Sequence, residues 1–88
     1  MKINFIGGSV SRDSVPLSDL PVGGRAFVVA VDAAPELAAR LAALGFLPRT
    51  EVRCRRRAPL GDPHVYELRG TQLCLRRSEA RKIRVEPA

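Results

Sequence analysis

The sequence predicts a mainly β domain, a small barrel of about five short strands with one amphipathic α-helix between the first strand and the second. Three observations predict it. The run Ala26-Phe27-Val28-Val29-Ala30-Val31 is β-branched and aromatic, the composition of a strand. From Pro35 the apolar period becomes helical, with Leu37, Leu41 and Leu44 at i, i+4 and i+7. From Glu51 onward, short alternating segments are separated by Gly- and Pro-containing turns, which is the pattern of antiparallel hairpins. The 88 residues allow one domain, and at this length only about 60% of the unfolded surface becomes buried.

Residues 1–15 read as a loosely attached arm, because Gly7, Gly8, Ser9, Ser11 and Ser14 supply turn chemistry with few apolar anchors. The domain proper is expected over residues 16–88. Leu17 and Leu20, three apart, face inward from one helical turn. Pro21-Val22-Gly23-Gly24 then forms a tight turn of type II, which needs the positive φ that glycine accepts. After the first strand Asp32 is a stop and a candidate helix cap, and Pro35 suits the first helical turn. Glu36 and Arg40 are spaced for an i,i+4 pair on the outer face. Gly45 ends the helix in the left-handed region, and Phe46 closes an apolar contact back onto it.

In Glu51-Val52-Arg53-Cys54-Arg55-Arg56-Arg57, strict alternation places Val52 and Cys54 inward. It sends Arg53, Arg55 and Arg57 to water as one basic stripe and leaves Arg56 on the inner parity. Ala58-Pro59-Leu60-Gly61-Asp62-Pro63 is a loop by composition. Tyr66 and Leu68 point inward from the next strand. Leu73 and Leu75 point inward from the one after it, with Cys74 outward. Ser78-Glu79-Ala80 is a single helical turn, and Lys82-Ile83-Arg84-Val85 closes the sheet with Ile83 and Val85 inside. Hairpin connectivity after the helix favours an SH3-like barrel, which would also remove the free edges of such short strands.

The charge and the cysteines exclude more than they assign. Thirteen of the fifteen cations are arginine and the net charge is +6, which invites a nucleic-acid reading. A GC-rich coding sequence raises arginine content without any such function, and no aromatic is interleaved with the arginine stripe to stack bases, so no nucleic-acid partner is expected. A small basic barrel that binds nucleic acid is kept as the second functional reading. Cys54, Cys74 and His64 are irregularly spaced and too few to seed a zinc site, so neither a metal nor another cofactor is expected. A metal or redox sensor built on these three residues is the weakest of the functional readings. His64 is the only histidine, no nucleophile–base pair or phosphate-binding glycine loop is present, and the chain is not expected to be an enzyme. The longest apolar run has six residues, against roughly 20 for a bilayer span, and the N-terminus lacks a continuous apolar signal region; a cytoplasmic location is expected.

At the helix and beyond, the residues resemble a known family. Leu41-Ala42-Ala43-Leu44-Gly45-Phe46-Leu47-Pro48-Arg49-Thr50-Glu51-Val52 is similar to the LxxLGhxPGTxV signature of the FeoA family, ferrous iron transport protein A. The loop from Ala58 to Pro63 matches its APLGDP motif. Leu68-Arg69-Gly70 and Leu73-Cys74-Leu75-Arg76 resemble its hRG…LxLR element, and Ser78-Glu79-Ala80 its EA turn. Leu17-Ser18-Asp19-Leu20-Pro21-Val22-Gly23 resembles its LsdLkpG segment, so the likeness spans residues 16–85. The chain departs from the pattern at Arg49, where the family usually has Gly, so that turn is either type I or carries a left-handed arginine. Cys74 stands where a small polar residue or Ala is usual, and residues 1–15 have no counterpart in the shortest members. The resemblance implies an SH3-like domain without catalytic activity that acts with FeoB, the membrane ferrous-iron transporter carrying a GTP-binding domain. The same domain type occurs in iron-dependent repressors, so the fold alone does not fix the partner.

For such a domain the expected contact surface is a loop. Pro59 and Pro63 stiffen the 58–63 loop, and Leu60, Gly61 and Asp62 form its tip beside Arg57. The competing expectation is that Leu60 folds back to cap the barrel end. Arg40, Ala43 and Leu47 on and after the helix offer a second surface, whereas Leu37, Leu41 and Leu44 are assigned to the core.

Overall fold

A computed structural model of the chain describes residues 14–88. Its elements are β1 (Val15–Pro16), a 3-10 turn (Leu17–Asp19), β2 (Arg25–Val31), α1 (Pro35–Leu44), β3 (Glu51–Arg57), β4 (His64–Leu68), β5 (Thr71–Leu75), α2 (Arg77–Ala80) and β6 (Ile83–Pro87). The strands form one antiparallel sheet in the order β1-β6-β2-β3-β4-β5. The fold is therefore mainly β with α1 between two strands, as expected. The described residues form six strands and not five, because Val15 and Pro16 pair with Val85 and Arg84 at one edge. Among the described residues the sheet is not closed by hydrogen bonds, so β1 and β5 are its edges there, contrary to the expectation that closure would remove them. The arm expected over residues 1–15 lies, for residues 1–13, outside the described residues; Ser14 is buried and accepts hydrogen bonds from the Arg84 guanidinium.

Short-range chemistry sets most of these boundaries. Gly45 adopts φ +115°, its N–H donates to the Ala42 carbonyl, and the Phe46 N–H donates to the Leu41 carbonyl. This pair of bonds satisfies the last carbonyls of α1 and swings the fully buried Phe46 under it. At the other end of α1 the cap is Ala34 with Pro35 at the first position, and Asp32 makes no cap. Proline there loses no hydrogen bond, since the first helical N–H groups have no intrahelical partner. The Gly24 N–H donates to Pro21 O with Gly23 at φ +87°, the expected type II geometry. Arg49 occupies the left-handed region at φ +71° in the turn closed by Thr50 N–H to Leu47 O, which decides between the two forms left open for that turn. Arg69 and Gly70, at φ +54° and +81°, form the two-residue link between β4 and β5 that matches strand twist.

The core lies between the curled sheet and α1, with Leu17, Leu41, Phe46, Val52, Tyr66 and Ile83 among its fully buried members. Leu44 departs from the expectation: it is 43% exposed, while Leu41 is buried and Leu37 half-buried. A ten-residue helix lying on a small curled sheet covers only a narrow stripe, and Leu44 falls at its margin. Arg40 pairs with Glu79 of α2 and not with Glu36, so the helix is tied to a distant element in place of its own next turn.

The larger correction concerns β3. The register runs Cys54↔Tyr66 and then Arg56↔Val65 and Arg57↔His64, so Arg55 is an extra residue in a β-bulge. Beyond it the parity inverts. Arg56 turns outward, and Arg57, opposite the buried His64, reaches under the sheet end to donate to Ser18 O at 3.0 Å and Leu20 O at 2.8 Å. A second bulge at Val29 of β2, between Val28↔Val85 and Ala30↔Arg84, lets the sheet curl around the core.

Candidate functional site

The 58–63 loop joins β3 to β4, and its geometry follows from its sequence. Ala58 N–H donates to Pro63 O at 3.0 Å, extending the ladder by one bond, and Gly61 N–H donates to Ala58 O at 2.7 Å. The second bond closes a turn with Pro59 and Leu60 at its centre, where the fixed φ of proline fits, and Gly61 takes φ +86°. The Asp62–Pro63 peptide is cis. The Asp62 carboxylate accepts the Arg77 N–H at 2.9 Å, which fastens the loop to α2. Leu60 is 95% exposed at the apex. It does not fold back onto the barrel end, because the turn that exposes it is closed on both sides.

The other residues singled out in the sequence fall into two groups. Arg40 is exposed on α1 and ion-paired with Glu79, whose carboxylate also accepts the Arg76 N–H. Arg40 and Asp62 are thus both anchored on the Arg76–Glu79 stretch, and this short segment links the helix surface to the loop. Ala43 is exposed and Leu47 is 40% exposed in the turn after α1. Arg57 lies at the base of the loop with its guanidinium occupied by two main-chain carbonyls, that of Ser18 in the 3-10 turn and that of Leu20 just after it. It holds Leu17 and Leu20 in place, and its side chain is committed to the fold.

The outer face of β3 carries mixed charge in place of a plain basic stripe. Arg55 pairs with Glu67 of β4 at 3.4 Å, and Glu51 pairs with Arg25 of β2 at 3.1 Å. Glu51, Arg55 and Glu67 line an open depression of about 400 Å³ together with Arg53, Leu68, Arg69 and Gly70. Glu67 and Arg69 had no place in the sequence reading of this surface. The outward parity of Glu67 on the neighbouring hairpin strand was the signal that would have found it.

His64 and Tyr66 form a buried polar pair, His64 Nδ1 to Tyr66 Oη at 2.8 Å, and the phenol also donates to Leu17 O at 3.3 Å. Burial pushes the Tyr66 phenol well above its ordinary value, with the Cys54 thiol adding to the effect. Cys54 is buried in β3, and Cys74 is exposed on the opposite face at β5. The structure does not bring Cys54, Cys74 and His64 together, and no group of three or more His, Cys, Asp or Glu side chains converges among the described residues.

An open, curled antiparallel sheet with one helix and an interior filled by side chains makes this a small SH3-like domain. Its distinctive outward features are a loop and a sheet edge. The FeoA domain family matches residues 15–87, and the chain belongs to that family, which is associated with ferrous iron transport. A solution structure of FeoA from Chlorobium tepidum is 40% identical over 83% of this chain and 70% of its own, with a TM-score of 0.78. The Stenotrophomonas maltophilia FeoA, an SH3 domain protein solved in complex with zinc, is 36% identical over 80% of this chain and 87% of its own, with a TM-score of 0.71. A manganese-dependent transcriptional repressor shares the fold alone: 19% identity over 89% of this chain and 38% of its own, at a TM-score of 0.80. No curated protein matches the chain. No helix among the described residues is long and apolar enough to cross a membrane.

Proposed function

We propose that this chain is a non-enzymatic, cytoplasmic accessory protein of ferrous iron uptake that docks through its 58–63 loop onto the cytosolic, GTPase-containing part of a FeoB-type transporter. Family membership supports the transport context. The observation that carries the docking site is Leu60, a large apolar side chain almost fully exposed on a loop held at both ends by main-chain hydrogen bonds and at Asp62 by α2. An exposed leucine on a preorganised loop loses little entropy on binding, so most of its burial energy goes into affinity. Leu47 and Leu44 add exposed apolar surface on and after α1.

The test is binding of the purified FeoB cytosolic domain to the wild-type chain and to Leu60→Asp. Burying one leucine contributes about 1.5–3 kcal/mol, so Leu60→Asp weakens binding by about 10- to 150-fold. The same variant leaves the melting curve unchanged, since Leu60 has no buried contact to lose. Unchanged affinity would remove the loop as the site, and absence of binding by the wild-type chain would remove the transporter as the partner.

A further inference from the structure

Among the described residues strand β5 is an open edge of the sheet, and the hairpin before it determines which of its main-chain groups face outward. Leu68 and Thr71 close the two-residue turn, so Thr71, Leu73 and Leu75 exchange ladder bonds with β4. Gln72 and Cys74 therefore direct their N–H and C=O groups away from the sheet, and among the described residues these groups have no main-chain partner. Both residues are exposed. Edge strands of monomeric proteins are ordinarily blocked by lysine, proline or an inward charge, and Thr71-Gln72-Leu73-Cys74-Leu75 contains none of these.

The charge around this edge has one sign. Arg69 stands at one end of β5, and Arg76 and Arg77 stand at the other. The carboxylates on adjoining elements are engaged: Glu67 with Arg55, Asp62 with the Arg77 main chain, and Glu79 with Arg40. A second copy of the chain is a poor occupant. Antiparallel pairing of two β5 strands would set the arginines at the ends of one strand against those of the other, between molecules that each carry +6.

We propose that the β5 edge accepts an extended acidic segment of a protein as an additional strand. Gln72 and Cys74 would supply four main-chain hydrogen bonds, and acidic side chains at the ends of the incoming segment would meet Arg69 and Arg76. The proposal rests on the docking reading above only for the identity of the protein that supplies the segment.

The experiment uses the full chain, labelled with nitrogen-15, and an end-blocked seven-residue peptide alternating glutamate and valine. The expected result is a shift of the Gln72 and Cys74 amides and at least tenfold slower hydrogen exchange at both, with no response to the same peptide carrying lysine for glutamate. Gln72→Pro removes one outward N–H without touching a ladder bond, since proline is tolerated where an edge N–H faces solvent, and it lowers affinity at least tenfold. A second variant, Arg69→Asn with Arg76→Gln, keeps every main-chain group and a turn residue that accepts positive φ, and lowers affinity at least fivefold. The proposal is overturned if the lysine peptide binds equally well, if both variants bind normally, or if the shifts fall on the 58–63 loop. It is also overturned if the Gln72 and Cys74 amides are already protected in the free chain, which would mean that another segment or a second copy covers the edge. The peptide readout involves no transporter, so its failure leaves the transporter reading standing, and failure of the transporter assay leaves the edge result standing.

Discussion

Arg56 and Arg57 are sequence neighbours that the β3 bulge sends in opposite directions, and alanine at each position separates the bulged register from the unbulged one. In the structure the Arg57 guanidinium donates to Ser18 O and Leu20 O, at 3.0 and 2.8 Å. Leu20 and Ser18 are both buried, so water reaches these carbonyls poorly once the guanidinium is gone. Hydrogen bonds to a charged group contribute about 1.5–3 kcal/mol each; halving this for the partial exposure of Arg57 gives about 1.5–3 kcal/mol for the two together. For a domain of this size, Arg57→Ala should then lower the melting temperature by about 6–24 °C. Arg56→Ala faces water and should change stability by no more than about 0.5 kcal/mol. Urea unfolding and thermal melts followed by circular dichroism give both numbers. Strict alternation predicts the reverse order, with Arg56 inward and Arg57 free. Equal losses in the two variants, or a larger loss at Arg56, would refute the bulged register and the anchoring of the 3-10 turn with it.

Two other sites give sharp expectations. A Cβ at Gly45 would stand 2.5 Å from the Leu68 Cδ1 in a backbone at φ +115°, so Gly45→Ala should cost about 2–4 kcal/mol from left-handed strain and overpacking together; a loss below about 1 kcal/mol in urea unfolding would show that Leu68 rotates out of the way. For Tyr66, burial raises the phenol pKa in the folded state, so the native chain keeps a proton that an unfolded tyrosine releases near pH 10. Stability is then complete below about pH 10 and falls above it, by at most about 1.4 kcal/mol per pH unit. Urea midpoints at pH 9 and pH 11 should show the fall in the wild type and not in Tyr66→Phe, which loses about 1–3 kcal/mol at neutral pH by stranding His64 Nδ1. An equal alkaline fall in both chains would assign the effect to other groups.

What could be read from the sequence and what could not divide along a physical line. Features settled within a few residues were legible: the Gly45 helix stop, the Pro21–Gly24 turn, the inward parity of Tyr66 and Leu68, and the loop character of residues 58–63. Each depends on φ preferences or on a period of two, which neighbouring residues determine. Features settled by competition between distant partners were not. Nothing in Arg55-Arg56-Arg57 marks which of three identical side chains is the extra one; the choice follows from a carbonyl pair 37 and 39 residues away that only one guanidinium can reach. Arg40 was spaced for Glu36 and pairs with Glu79, 39 residues on, because folding of the sheet brings α2 beside α1. The exposure of Leu60 stands between the two: the loop composition placed Leu60 at the tip, with folding back onto the barrel end as the competing outcome, and the structure leaves it 95% exposed. Its apolar side chain would favour burial, and what holds it out is the Gly61-to-Ala58 bond together with the hold of α2 on Asp62. An apolar residue kept in water by specific hydrogen bonds is under a constraint that the isolated fold does not require. On the docking proposal, the loop, more than the mixed-charge face of β3, is where a partner would gain most by binding.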